Sequence, residues 1–252
     1  MQQDKKTFLN YEKPILTTMV QADNPDRIKE LIDKSVPEGA ESYGMQFCKL
    51  LPEFRNEKTY RELIEYSDKP VYVTNYRSHQ NAEKTDDEIA GELVFFAECG
   101  ATLCDVMGDY FDPTPGELTM NEEAIKKQMT LIDRLHESGA EVLMSSHVLK
   151  FIPADEVLKI ALEHQRRGAD ICKIVTGADT MEQQIENLRI VTLLKEKLDI
   201  PFLFLCGGES HFLRRIGGQL GCCMYLCVHE YDNWSTNSQP LLKNVKAIRD
   251  NM

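Results

Sequence analysis

The feature that most constrains this chain is a repeated alternation. Short apolar runs of strand length recur at Ile15–Val20, Ser42–Phe47, Val71–Tyr76, Thr102–Met107, Glu141–Ser146, Ile171–Thr176, Phe202–Cys206 and Cys222–Val228, giving eight expected strands. Between them apolar residues fall at helical spacing, as in Ile125, Met129, Ile132 and Leu135, or Met181, Ile185, Leu188, Val191 and Leu194. Thr85 with Glu88 and Thr180 with Gln183 have capping-box spacing, and Ser238 before Pro240 marks the expected start of the last helix. Gly39-Ala40-Glu41, Gly100-Ala101-Thr102, Gly139-Ala140-Glu141 and Gly168-Ala169-Asp170 each stand just before a strand. Glycine there adopts the left-handed conformation that ends a helix and turns the chain into the next strand.

Alternating elements joined by such turns imply parallel strands with right-handed crossovers. Eight units in 252 residues fit an α/β fold made of a single (β/α)8 TIM barrel over residues 1–252, with 1–13 as an N-terminal extension. A chain of this length buries roughly three quarters of its surface, enough for a closed core. The competing architecture is an open doubly wound sheet, but no Gly-x-Gly-x-x-Gly follows any strand to anchor a dinucleotide in it. In a barrel, chemistry collects at the C-terminal ends of the strands and in the loops that follow them.

Charge and composition narrow the partners. A formal charge of -12 repels phosphate backbones and anionic membrane surfaces, so neither nucleic acid nor membrane is an expected partner. No apolar run approaches the roughly 20 residues of a membrane span. The stretch Met1–Phe8 is charged and polar, unlike a signal peptide, so a cytoplasmic location is expected. Of the cysteines, Cys172, Cys206, Cys222, Cys223 and Cys227 lie in apolar runs and none form C-x-x-C, which reads as buried reduced thiols. The histidines show no ligand spacing, so no metal and no cofactor are expected. Gly207-Gly208 alone is too weak a signal for a phosphate site.

The most unusual residue is Lys173, within Ile171-Cys172-Lys173-Ile174-Val175. An unpaired ammonium inside an apolar strand is costly to desolvate, which favours the neutral amine that attacks a ketone. By alternation, Ile171, Lys173 and Val175 face the barrel interior. His147 closes the preceding strand at its C-terminal end, within about 5 Å of the neighbouring strand, and suits removal and return of a proton. Arg77 ends the third strand, and Arg214 and Arg215 follow the seventh. Guanidinium groups over a barrel mouth suggest a carboxylate substrate, and the sequence does not choose between the last two. After the eighth strand comes a polar loop, His229–Gln239, of the kind that closes over a site.

Taken together, Met144-Ser145-Ser146-His147, Gly168 to Ile174 with Lys173, Arg215, and Ser235 with Gln239 four residues later resemble type I 3-dehydroquinate dehydratase in order and spacing. The resemblance spans nearly the whole barrel. It implies that Lys173 is the Schiff-base lysine and His147 the acid–base residue of a shikimate-pathway lyase. It also implies that Arg215, Ser235 and Gln239 grip the substrate carboxylate and its neighbouring hydroxyl, with Arg77 in the Tyr-Arg-Ser position, and that the protein is a homodimer. The family's second strand ends in Glu-x-Arg-x-Asp; here Gln46-Phe47-Cys48-Lys49-Leu50 stands in its place, so Gln46 is the substrate contact that remains. The family's histidine-orienting glutamate falls at Asn81, or at Glu83 if the loop is shifted.

Groups that pair with buried substrate hydroxyls carry much of an enzyme's discrimination, so these departures affect the substrate more than the reaction. Three readings follow: dehydration of 3-dehydroquinate or a related hydroxylated keto acid, a Schiff-base aldolase acting on a less hydroxylated one, and a catalytically degenerate barrel that binds a carboxylate.

Overall fold

The computed structural model describes residues 6–9, 11–208 and 211–251. Strands β1 (Ile15–Met19), β2 (Ser42–Gln46), β3 (Val71–Thr74), β4 (Leu103–Met107), β5 (Glu141–His147), β6 (Ile171–Ala178), β7 (Phe202–Gly208) and β8 (Met224–Cys227) alternate with helices. The helices are α1 (Pro25–Ser35), α2 (Glu57–Glu65), α3 (Asp86–Glu98), α4 (Glu122–Glu137), α5 (Ala154–Arg166), α6 (Met181–Lys197), α7 (Leu213–Leu220) and α8 (Leu242–Asp250). All pairings are parallel, in the order β7-β6-β5-β4-β3-β2-β1-β8. At the remaining seam the Cys223 amide donates to the Phe202 carbonyl at 2.9 Å. This is a nearly closed (β/α)8 TIM barrel.

Most local signals act as the sequence suggests, but at the start of α6 only half of the expected box forms: the Thr180 hydroxyl accepts from the Gln183 amide, while the Gln183 side chain accepts from the Asp179 amide. Gly39, Gly100, Gly139 and Gly168 have φ of 90°, 100°, 86° and 97°, the left-handed region that other residues enter at a cost. Thr85 and Glu88 close a complete capping box at the start of α3. Three further expectations need correction, one being Met129 of the α4 stripe, which is exposed while Ile125, Ile132 and Leu135 are buried. The last helix begins at Leu242 rather than near Ser238, because the Val228 amide bonds the Pro240 carbonyl and the Leu242 amide bonds the Val228 carbonyl, holding 240–242 extended beside β8. The stripe of α6 is core only at its later turns: Ile190, Val191 and Leu194 are buried, whereas Met181 and Ile185 are exposed.

Alternation along the strands divides the core in two. Ile15, Tyr72, Leu103, Leu143, Ile171, Leu203 and Met224 fill the barrel interior, while Tyr43, Val71, Val73, Cys104 and Met144 pack outward against helices. Truncating one of the fully buried aliphatic side chains, as in Ile171→Ala, is expected to cost about 2–5 kcal/mol. Below the barrel, the N-terminal extension inserts Phe8, which meets the Tyr72 ring edge-on at 6.4 Å. The extension is tied to Glu141 through the Phe8 amide at 2.7 Å and the Thr7 hydroxyl. The lower mouth is thereby plugged, and the upper, C-terminal mouth remains for chemistry. Among the described residues, no helix is long and apolar enough to cross a membrane.

Candidate active site

Lys173 is where alternation places it, inside the barrel on β6 and almost wholly buried. It is not solitary. Its Nζ lies 3.0 Å from Asp105 Oδ2 on β4 and donates to the hydroxyls of Tyr76 at 2.7 Å and Tyr72 at 3.2 Å. The expected unpaired amine is therefore corrected to a buried ion pair. Burial by itself pushes the Asp105 carboxyl up. The Lys173 charge, and that of His147 whenever its ring is protonated, with hydrogen bonds from Ser145 at 2.5 Å and from Tyr72, outweigh it and hold the group below its usual value. Tyr76 also donates to Asp105, at 2.7 Å. Burial first, then the Asp105 charge, push both phenols well above their ordinary value, so they act as neutral donors. Asp105 was detectable by the signal that found Lys173, a charge in the middle of the apolar run Leu103-Cys104-Asp105-Val106-Met107.

His147 closes β5 and rests edge-on against the Tyr76 ring at 5.3 Å. Its Nδ1 lies 2.6 Å from Glu117 Oε2, and its backbone amide donates to the same oxygen at 3.2 Å. A carboxylate beside Nδ1 fixes the tautomer with the proton there and leaves Nε2 as the proton-transfer atom. The expected orienting residues do something else. Asn81 is buried and its amide donates to Asn75 Oδ1 and the Tyr76 carbonyl, while Glu83 is exposed. Glu117 instead arrives from the loop after β4. There its amide bonds the Thr114 carbonyl at 3.1 Å, with Pro115 and Gly116 (φ 88°) between them, the pattern of a type II turn.

Above these groups lies a cavity of about 200 Å³ that Lys173, His147, Gln46 and Gln239 all line. It also exposes Gln21, Thr74, Thr236 and Arg214, with Met19, Leu149, Leu205 and Leu226 as apolar wall. Thr74 Oγ1 is buried there and has no hydrogen-bond partner among the described residues. Arg214 donates through Nε to the Cys206 carbonyl at 3.0 Å, and burial pushes its guanidinium below the ordinary value. A larger hollow of about 490 Å³ sits under the N-terminal extension at the opposite mouth, away from all strand C-terminal ends.

Three expected substrate contacts do not line the cavity. Arg215, one position along α7 from Arg214, turns back to the His211 carbonyl at 3.3 Å. Arg77 is held by two carboxylates: Nε and Nη2 meet Asp86 at 2.6 and 2.8 Å, and Nη1 meets Asp109 at 2.8 Å. Burial alone would push that guanidinium down, but the two anions hold it above its usual value. Ser235 is occupied within its own loop, accepting from the Asp232 amide at 2.9 Å and donating to the Asp232 carbonyl at 3.2 Å. Thr236 and Gln239 carry that loop's contribution to the cavity.

Lys49 was not anticipated. It is buried, donates to Gln21 Oε1 at 2.6 Å and to the Trp234 carbonyl at 2.7 Å, and lies 5.9 Å from the Trp234 ring centroid. It therefore ties the 229–239 loop to the β2 end. With its oxygen engaged by Lys49, Gln21 presents its NH2 donors to the cavity.

A family model described as type I 3-dehydroquinase matches residues 57–233. A curated 3-dehydroquinate dehydratase from Alkaliphilus oremlandii (strain OhILAs) is 33% identical over 93 residues, a match that spans 36% of this chain and 36% of that protein's length. The crystal structure of 3-dehydroquinate dehydratase from Geobacillus kaustophilus HTA426 superposes with a TM-score of 0.82 at 14% identity, covering 98% of this chain and 95% of the other. A type I 3-dehydroquinate dehydratase from Clostridium difficile, solved with covalent modified comenic acid, gives a TM-score of 0.77 at 17% identity over 95% and 92% of the two chains. At such identities the two structures speak for the fold, and the family model speaks for membership. The chain belongs to the type I 3-dehydroquinase family.

Proposed function

We propose that the protein dehydrates 3-dehydroquinate to 3-dehydroshikimate through an imine on Lys173. The observation that carries this reading is one small cavity lined by a buried lysine, a carboxylate-oriented histidine and a guanidinium. The Lys173 amine adds to the substrate ketone and water leaves, forming the imine. Its protonated nitrogen stays opposite Asp105, which stabilises the cation as the carboxylate of the free enzyme stabilises the ammonium. His147 Nε2 removes a proton from the carbon beside the imine; the imine accepts the electron pair. The hydroxyl on the next carbon then departs as water with the proton His147 carries. Hydrolysis of the conjugated imine releases the enone and restores the amine.

Arg214 holds the substrate carboxylate in this reading, beside Gln239 and Thr236, while Gln21, Gln46 and Thr74 face the ring hydroxyls. The test is the appearance of conjugated-enone absorbance from 3-dehydroquinate. Wild-type turnover is expected, with loss of at least roughly 10³-fold in Lys173→Ala and 10²-fold or more in His147→Asn. Absence of turnover by the folded wild type would refute the dehydratase reading.

One observation favours a second substrate class. The wall formed by Gln21, Gln46 and Thr74 is uncharged, which suits a keto acid with fewer hydroxyls and a carbon–carbon cleavage from the same imine. Pyruvate or aldehyde release from such a substrate, with none of the enone, would select it. By contrast, the Glu117 carboxylate beside His147 Nδ1 speaks against a catalytically degenerate barrel. The family resemblance further extends the proposal to a cytoplasmic homodimer, for which sedimentation equilibrium should give twice the chain mass.

A further inference from the structure

The loop that carries Glu117 is held from behind by a buried chain of hydrogen bonds that no step above uses. Ser146 precedes His147 on β5 and faces outward, toward α5. Its hydroxyl lies 2.6 Å from the Glu117 carbonyl oxygen and 3.0 Å from His164 Nε2, and His164 Nδ1 lies 3.4 Å from Cys172 Sγ. The direction of every proton follows from donor inventory. A carbonyl only accepts, so the single hydroxyl proton of Ser146 goes to Glu117. His164 Nε2 must then donate to Ser146, which leaves Nδ1 to accept from the Cys172 thiol. Burial, with Arg167 nearby, holds the His164 imidazole down to about 3, and burial pushes the Cys172 thiol up, so both stay neutral.

Two backbone facts show that this chain restrains the loop. Glu117 has φ 53°, a conformation that a non-glycine residue keeps only when its surroundings impose it. Gly108, at the root of the same loop, leaves the space the clamp needs. A Cβ there would stand 2.5 Å from the Glu117 carbonyl oxygen, 3.0 Å from Ser146 Oγ and 3.2 Å from His164 Nε2.

We propose that Ser146 and His164 are positioning residues for His147. They clamp the Glu117 backbone so that its carboxylate stays on Nδ1 and holds the imidazole in the tautomer with Nε2 free. The proposal rests on reading His147 as the proton-transfer residue, and its first test needs no substrate. In the intact 15N-histidine-labelled protein, the neutral His147 ring is expected to show a protonated Nδ1 and a bare Nε2. Ser146→Ala, which removes a single oxygen, should turn this into a mixture of both tautomers. His164→Gln, whose side-chain amide offers a donor in place of Nε2, should retain most of the Nδ1–H form. Near-UV circular dichroism reads the fold alongside. A single Nδ1–H tautomer in folded Ser146→Ala overturns the proposal whatever the reaction is.

The kinetic arm uses 3-dehydroquinate. Ser146→Ala should lower kcat about tenfold with KM within about twofold, and Glu117→Gln should lower kcat roughly a hundredfold. The double variant should be no slower than Glu117→Gln, since Ser146 acts only through Glu117. Losses that multiply would overturn the clamp. A wild type inactive on 3-dehydroquinate would instead count against the reaction assignment, with the tautomer measurement still deciding the clamp.

Discussion

Lys173 Nζ and Asp105 Oδ2 stand 3.0 Å apart inside the barrel, on strands β6 and β4, both side chains almost fully withdrawn from solvent. Such a pair is weak evidence for stability while intact, because desolvating two charges offsets their attraction. Breaking it is another matter, since the survivor is a buried, uncompensated charge. Asp105→Asn is accordingly expected to lower the unfolding free energy by about 3 kcal/mol in urea titrations. A loss below about 1 kcal/mol would mean that the amine finds sufficient compensation from Tyr72 and Tyr76 alone.

Arg214 and Arg215 provide a test of the carboxylate site by adjacency. Arg214 lines the cavity and Arg215 does not. Arg214→Ala should raise KM for the keto-acid substrate by roughly a hundredfold, as expected for loss of a charge-assisted contact, and Arg215→Ala by less than about threefold. The reverse order in steady-state kinetics would move the carboxylate to another part of the mouth.

Thr74 offers a sharper probe of specificity. Its hydroxyl is buried at the cavity wall and finds no hydrogen-bond partner among the described residues, so a substrate hydroxyl can pair with it. Thr74→Val keeps the shape and removes the oxygen. We expect a free protein more stable by about 1 kcal/mol and a kcat/KM lowered about 5- to 30-fold. Unchanged kcat/KM would show that the substrate does not reach β3.

His164 makes the fold acid-sensitive. Its folded value of about 3 lies below the ordinary 6.5, so between these limits the unfolded chain binds a proton that the folded chain rejects. Stability contributed by the neutral imidazole is thus present above about pH 6.5 and lost on acidification, at up to ~1.4 kcal/mol per pH unit. His164→Gln should reduce the slope of unfolding free energy against pH by close to one proton between pH 4.5 and 6.5. Equal slopes in the two proteins would contradict a buried neutral ring.

Much of this architecture is legible in the sequence because strand and helix periods are local properties. The four glycine turns and the eight apolar runs need no knowledge of distant contacts, and an inward lysine follows from alternation alone. What the sequence does not reveal depends on where separate loops meet. Glu117 lies 30 residues from His147, and only the barrel brings the Pro115-Gly116 turn against the C-terminal end of β5. Arg77 reads as a substrate cation until Asp86 and Asp109 arrive from two other segments to neutralise it. The choice between Arg214 and Arg215 turns on the rotation of α7 about its axis, which two adjacent arginines cannot specify. Ser235 is the exception: the spacing Asp232-x-x-Ser235 was readable as a self-satisfied turn.

An imine on Lys173 is a covalent bond, so reduction traps it and mass mapping locates it. The protein is incubated with 3-dehydroquinate, reduced with borohydride, digested and mapped by mass spectrometry. The expected result is one reduced adduct on the peptide carrying Lys173, absent in Lys173→Ala and without substrate. No adduct with the folded wild-type protein, or an adduct placed on another lysine, would contradict the imine at Lys173.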